Sequence, residues 1–73
     1  MMAFHIRLKE LRQQQNLTLR KLGEKAGISY SILNSIENGR IIPSKDVALA
    51  LAVALKIDDR EAFISLANNP SEL

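Results

Sequence analysis

Apolar residues recur along this chain at helical spacing, and no run shows the strict alternation that is typical of a strand. In residues 4–15, Phe4, Leu8 and Leu11 fall on one stripe of a helix, at positions i, i+4 and i+7. Residues 47–55 are nine consecutive apolar positions, and a helix that is apolar on all sides must be covered on all sides. The pattern therefore predicts an all-α fold.

Capping residues and helix breakers indicate where these helices begin and end. The expected helix starts follow residues that commonly cap helices: Thr18, Ser29, Ser44, and either Asp58 or Asp59. Gly27 and Gly39 stand where a helix should end, because glycine adopts the left-handed conformation without steric cost. We expect one compact five-helix domain over residues 1–73, with helices over about residues 4–15, 19–25, 30–38, 45–56 and 59–68.

Composition limits the class of protein. The chain has 73 residues, 47% of them hydrophobic, and no cysteine, which predicts a small folded domain without disulfides or a thiolate metal site. It has no run of about eighteen apolar residues and no signal-peptide pattern. We therefore expect a soluble cytoplasmic protein that does not enter a membrane.

Charge is distributed unevenly along the chain. The net charge is +2 overall, but residues 1–45 carry +5 and residues 46–73 carry −3. A basic half beside an acidic half is typical of a protein that meets a polyanion on one side. Ordinary solvated surface charge is the alternative interpretation.

Residues 22–37 have the pattern of two short helices joined by a tight glycine turn. Small residues at Gly23 and Gly27 allow the two helices to cross closely, where a larger side chain would force them apart. A glycine inside a helix costs roughly 0.5–1 kcal/mol relative to alanine. The first of the two helices is therefore expected to be slightly soft at Gly23.

A longer set of residues carries a family resemblance over about residues 4–57. The matching positions are Leu11-Arg12, Leu22, Gly27, Ile28-Ser29, Leu33, Ile36-Glu37, Gly39-Arg40, Pro43-Ser44, Leu51-Ala52 and Ala54-Leu55. In this order and spacing the chain resembles the phage repressor and Cro-like helix-turn-helix family, often called the XRE family. The resemblance implies a lambda-repressor-like fold that binds double-stranded DNA with its third helix in the major groove. It also implies a structural ion pair between Arg12 and Glu37.

The resemblance assigns roles to the polar side chains of this unit. The candidates for contacting base edges are Tyr30, Ser31, Asn34 and Ser35, which face outward when Ile28, Leu33 and Ile36 face the core. The candidates for contacting phosphates are Thr18, Arg20, Lys21, Ser29, Asn38 and Arg40. A basic side chain in the first turn of a helix is disfavoured by the helix dipole, at a cost of roughly 0.3–1 kcal/mol. Arg20 and Lys21 are reasonable at that position if a phosphate is their intended neighbour.

Two departures from the family pattern affect specificity. Leu19 stands where the family commonly has a glutamine, and the outward face of the third helix has no arginine, lysine or glutamine. Sequence discrimination is therefore expected to be modest, or to depend on DNA shape and on a dimer that contacts two half-sites. The dimer candidates, on the fourth and fifth helices, are Leu49, Val53, Phe63 and Leu66. The alternative is that the fifth helix alone covers the fourth.

The leading hypothesis is a DNA-binding transcriptional regulator, a repressor or autoregulator, encoded by a bacterium or a phage and bound to the nucleoid. The alternative from another class is a protein-interaction module or antitoxin-like partner that keeps the fold and has weak or no DNA binding. RNA binding has little support, because no aromatic stacking platform is evident. No catalytic set, cofactor motif or metal site is visible: His5 is interpreted as a surface residue, and Asp58 and Asp59 as helix caps.

Overall fold

The computed structural model describes residues 3–68, which form five helices and no strand. The helices are α1 (Phe4–Gln14), α2 (Leu19–Ala26), α3 (Tyr30–Glu37), α4 (Lys45–Ala54) and α5 (Arg60–Asn68). The all-α, five-helix architecture predicted from the apolar pattern is confirmed. Within this range no helix has the length and apolarity needed to cross a membrane.

Helix starts follow the predicted caps. The backbone N–H of Lys21, Ile32 and Val47 donates to the hydroxyl of Thr18, Ser29 and Ser44 respectively, at 3.0–3.2 Å. Asp59, rather than Asp58, caps α5, because its Oδ1 accepts from the backbone N–H of Ala62 at 3.1 Å. Each cap satisfies a donor that has no partner within its own helix.

Helix ends lie within two residues of the predicted positions. The largest difference is in α4, which ends at Ala54 rather than near residue 56. Lys56 has left-handed backbone dihedrals (φ 56°), and a residue in that region cannot continue a right-handed helix. Asn16 (φ 58°) acts in the same way after α1.

The core combines one stripe from each helix. Its buried members are Phe4, Leu8, Leu22, Leu33, Ile36, Ala48, Leu51, Ala52, Leu55, Phe63 and Ala67. The rings of Phe4 and Phe63 meet with centroids 4.7 Å apart, which joins α1 to α5. Phe63 was expected at a dimer interface, but it is 4% exposed. Its surface is already used inside this chain, so it leaves the dimer set.

Helix α4 is covered on one side only. Leu51, Ala52 and Leu55 are fully buried, whereas Leu49 and Val53 are 42% and 53% exposed. Helices α2 and α5 both pack on the buried side, so the alternative interpretation, in which α5 alone covers α4, does not hold for the described residues. Two apolar side chains one helical turn apart remain open to solvent.

Contacts between residues distant in sequence tie the ends of α1 to the rest of the fold. Gln15 Nε2 donates to the carbonyl oxygen of Leu55 at 2.7 Å, which satisfies an acceptor at the end of α4. The ring of His5 lies against Gly39, so close that a β-carbon on Gly39 would lie 3.1 Å from the ring. His5, interpreted from sequence as a surface residue, is therefore a partly buried packing residue.

Candidate nucleic-acid interface

Two glycines shape the turn between α2 and α3, each for a different reason. A β-carbon on Gly23 would lie 2.6 Å from the carbonyl oxygen of Ile28, too close for any other residue unless the backbone moves. Gly27 has nothing within 4 Å of the same position, but its φ is +71°. Gly23 therefore permits the close approach, whereas Gly27 supplies only the left-handed conformation that ends α2.

The inner side of this unit is held by an ion pair. Arg12 Nε and Nη2 donate to the two carboxylate oxygens of Glu37, at 2.7 and 3.1 Å. Arg12 Nη1 also donates to the carbonyl oxygen of Leu17 at 2.6 Å. The two side chains are only 12% and 4% exposed. One guanidinium therefore joins α1, the segment before α2, and the last residue of α3.

The outer side of α3 is polar with apolar edges. Ser31 is exposed, and Asn34 and Ser35 are partly buried, so all three have surface for a partner. Tyr30 and Ile32 are each 48% exposed. Because Leu33 and Ile36 are buried on the opposite side, the orientation of α3 agrees with the one that the apolar pattern predicts.

Three exposed basic side chains lie near the α2–α3 turn, two at the start of α2 and one after α3. Lys21 lies 3.7 Å from Glu24 in an ion pair whose members are both more than half exposed. The guanidinium carbon of Arg20 lies over the ring of Tyr30, 5.3 Å from its centroid. Arg40 is exposed, and its backbone N–H donates to the carbonyl oxygen of Ser35 at 2.9 Å, which fixes the backbone just past α3.

The contact between Arg20 and Tyr30 was missed by the sequence analysis. The sequence pattern predicts a phosphate contact for Arg20 and a base contact for Tyr30, with no contact between the two. The caps Thr18 and Ser29 indicate that Arg20 and Tyr30 each lie at a helix start. No local pattern indicates that the two starts meet, because that depends on how α2 and α3 cross. The remaining phosphate candidate, Asn38, is exposed after α3.

An open groove of about 510 Å³ lies elsewhere, between α1, the α4–α5 link and α5. Leu11, Ile57 and Leu66 line it, with Arg7 and Asp58 among its polar residues. No residue of α2 or α3 lines this groove, so it is separate from the polar face. Across residues 3–68, no group of three or more His, Asp or Glu residues is placed to hold a metal ion.

Comparison with known protein families gives one match. A family model described as helix-turn-helix matches residues 8–61, which is well over half of the chain. The chain belongs to this helix-turn-helix family. The match confirms the resemblance to repressor and Cro-like proteins of the XRE type, and it identifies a DNA-binding regulator. Searches of curated proteins and of solved structures returned no match.

The matched range of this helix-turn-helix protein contains the whole turn and both of its sides. It begins in α1 before Arg12 and ends in the first turn of α5. The Arg12–Glu37 pair, the polar face of α3 and the exposed bases Arg20 and Arg40 all lie inside it. The match therefore covers the complete candidate site.

Proposed function

We propose that this chain is a sequence-specific regulator of transcription that binds double-stranded DNA with α3 in the major groove. The observation that carries the proposal is the polar outer face of α3, flanked by exposed basic side chains at the start of α2 and just past α3. An α-helix fits the major groove, where the edges of the nucleobases differ in their donors and acceptors. The exposed basic side chains beside that helix would contact the phosphates on either side.

Sequence discrimination is assigned to three side chains of α3. Asn34 is suited to adenine, because its amide offers a donor and an acceptor that match adenine N7 and N6. Ser31 and Ser35 donate to or accept from any base. With one bidentate reader in the set, we expect the preference for a specific site to be moderate.

Phosphate binding is assigned to the helix starts and to the segment after α3. Arg20, Lys21 and Arg40 supply charge, and Asn38 supplies an amide. Thr18 and Ser29 use their hydroxyl oxygens as acceptors within the caps. Each hydroxyl therefore still has a proton to donate to a phosphate oxygen, next to the positive end of a helix dipole.

The regulator is proposed to act as a homodimer that represses transcription, its own gene included, by occluding polymerase at an operator. The exposed Leu49 and Val53 of α4, with the partly buried Leu66 of α5, supply the interface. Two-fold symmetry would place two copies of α3 about 34 Å apart, one turn of DNA. The role implies a cytoplasmic location on the nucleoid of a bacterium or its phage, and we propose no enzymatic activity.

A fluorescence-anisotropy titration tests DNA binding directly. The probes are a duplex from upstream of the chain's own gene and a scrambled duplex of equal length, at about 50 and 200 mM salt. We expect tight, salt-sensitive binding that prefers the upstream duplex. Salt-sensitive binding without preference would contradict self-regulation, and no binding to either duplex at low salt would contradict the proposed function.

The exposed α4 surface also favours a second candidate, a protein-interaction module, whose partner would cover Leu49 and Val53. Sedimentation equilibrium distinguishes a second copy of the chain from another protein as the partner that covers α4. For a homodimer, Val53→Glu should reduce the mass from two subunits to one, because a carboxylate is costly to bury in an apolar interface. Gln13→Glu, an exposed site on α1, is the matched control. An unmodified chain that is already a monomer would contradict the homodimer and leave α4 for another protein.

A further inference from the structure

The starts of α2 and α3 lie side by side. Arg20 is the second residue of α2 and Tyr30 is the first residue of α3, yet the guanidinium carbon of Arg20 lies 5.3 Å from the centre of the Tyr30 ring. A cation within about 6 Å of a ring face is attracted by the negative charge on that face. The side chain of one helix start therefore rests on the side chain of the other.

Arg20 stands where its own helix offers little to a cation. The start of a helix carries partial positive charge, which repels a guanidinium. Its neighbour Lys21 has an acidic partner in Glu24, but no acid of residues 3–68 forms an ion pair with Arg20. The ring of Tyr30 is thus the favourable neighbour that the structure gives to this charge.

Stacking determines which part of Arg20 is available to a partner. A guanidinium is planar, and its five N–H groups point outward in its own plane. When one face of the plane rests on a ring, the N–H groups along the edge can still donate to an anion. Two of them match two oxygens of one phosphate. Tyr30 is only about half covered, so the pair as a whole is accessible.

We propose that Tyr30 is a positioning residue and does not contact a base. Its ring orients the Arg20 guanidinium so that two N–H groups donate to one DNA phosphate. The inference deepens the proposed DNA-binding function and rests on it. Tyr30 therefore differs from the base-contacting role that the family resemblance implies. A phosphate bound where the starts of α2 and α3 meet would also determine the position of α3 along the groove, because Arg20 lies next to the first turn of α3.

A double-mutant cycle in DNA binding tests the proposal. The variants are Arg20→Ala, Tyr30→Leu, their combination, and Tyr30→Phe, each titrated by anisotropy against the upstream duplex and the scrambled duplex. An exposed cation–ring contact corresponds to roughly a two- to fivefold change in affinity. We expect Tyr30→Leu to weaken binding to both duplexes by about that factor and Tyr30→Phe to change little. The combination should bind about as weakly as Arg20→Ala alone.

Two controls and one measurement on the free protein accompany the cycle. Lys25→Ala removes an equal charge from the last turn of α2, and Ile6→Ala shortens a side chain of α1 that is as exposed as Tyr30 but lies away from α3. In the free protein, the ring should shift the NMR signals of the Arg20 δ-protons. That shift should disappear in Tyr30→Leu and remain in Tyr30→Phe.

The possible failures differ from one another. If the unmodified chain binds DNA but the effects of Arg20→Ala and Tyr30→Leu multiply, the positioning role is wrong while the proposed function stands. A loss caused by Tyr30→Phe on the upstream duplex alone would instead make the Tyr30 hydroxyl a base reader. If the unmodified chain binds neither duplex, both the function and this role are overturned.

Discussion

Arg12 and Arg20 each join another helix to α3, but their surroundings are opposite. Arg12 is almost enclosed and donates to Glu37 and to the Leu17 carbonyl. Arg20 is exposed and rests on the half-covered ring of Tyr30. The first arginine donates three hydrogen bonds inside the chain, whereas the second still has donors for a partner.

This difference separates an inner side that holds the helix-turn-helix together from an outer side that we propose contacts DNA. On the inner side, removal of one member of a pair leaves a buried charge alone, which is far more costly than the pair is beneficial. On the outer side, water replaces a lost contact at little cost. Changes on the inner side should therefore affect stability, and changes on the outer side should affect DNA affinity.

The largest effect is expected on the inner side, for Glu37→Gln. The change keeps the shape of the side chain but leaves the Arg12 guanidinium without its counter-charge. We expect the free energy of unfolding, measured by urea denaturation, to fall by about 3 kcal/mol. Glu10→Gln is the matched control, because Glu10 pairs with Arg7 at 3.2 Å where both side chains are more than 40% exposed. It should cost about 0.5 kcal/mol, and equal losses in the two variants would contradict the comparison.

On the outer side, the largest effect is expected for Asn34→Ala. Loss of a bidentate contact to a base should weaken binding to the preferred duplex by roughly 1–3 kcal/mol. Binding to the scrambled duplex should change little, because contacts to phosphates remain. The anisotropy titration measures both, and the free energy of unfolding should stay within about 0.5 kcal/mol of the unmodified chain. Equal losses on the two duplexes would exclude Asn34 as a base reader.

Gly23→Ala tests how tightly the inner side is packed at the turn. Helix propensity alone favours alanine by roughly 0.5–1 kcal/mol, but the new methyl group would meet the Ile28 carbonyl oxygen at 2.6 Å. Overpacking of this kind costs about 1–3 kcal/mol. We expect a net loss of about 1 kcal/mol in the free energy of unfolding.

Lys25→Ala, an exposed change in the same helix, provides the reference for Gly23→Ala. It should change the free energy of unfolding by less than about 0.5 kcal/mol. A Gly23→Ala variant more stable than the unmodified chain would mean that the turn opens freely and that the close approach of α2 and α3 is not required.

Local signals explain why so much of the fold could be predicted. A cap hydroxyl accepts a hydrogen bond from an N–H three residues later, as Ser44 does from Val47. Both partners therefore lie within one short stretch of sequence, where the pattern is visible. The left-handed residue after a helix is also a local feature, as Gly27 shows. The end that differed most is that of α4, where Lys56 rather than a glycine adopts this conformation.

Contacts between distant segments could not be predicted in the same way. Gln15 and Leu55 are forty residues apart, and neither carries a pattern that marks the other. The contact of Arg20 with Tyr30 depends on how α2 and α3 are placed relative to each other, and Gly23 indicates only that the two helices approach closely. The burial of Phe63 depends on which side of α5 meets Phe4. The family resemblance implied the Arg12–Glu37 pair, but not its third contact to Leu17.

Arg40→Ala, on the outer side, is expected to change DNA affinity by no more than Gly23→Ala changes stability. Removal of one phosphate contact should weaken binding to the upstream and scrambled duplexes alike, by about 1 kcal/mol, and should reduce the slope of log affinity against log salt by about one. Stability should not change, because alanine retains the backbone N–H that donates to Ser35. Lys9→Ala, an exposed base on α1, is the control for net charge. If both variants lower the slope equally, the effect of Arg40 is general attraction, and the outer side would not extend past α3.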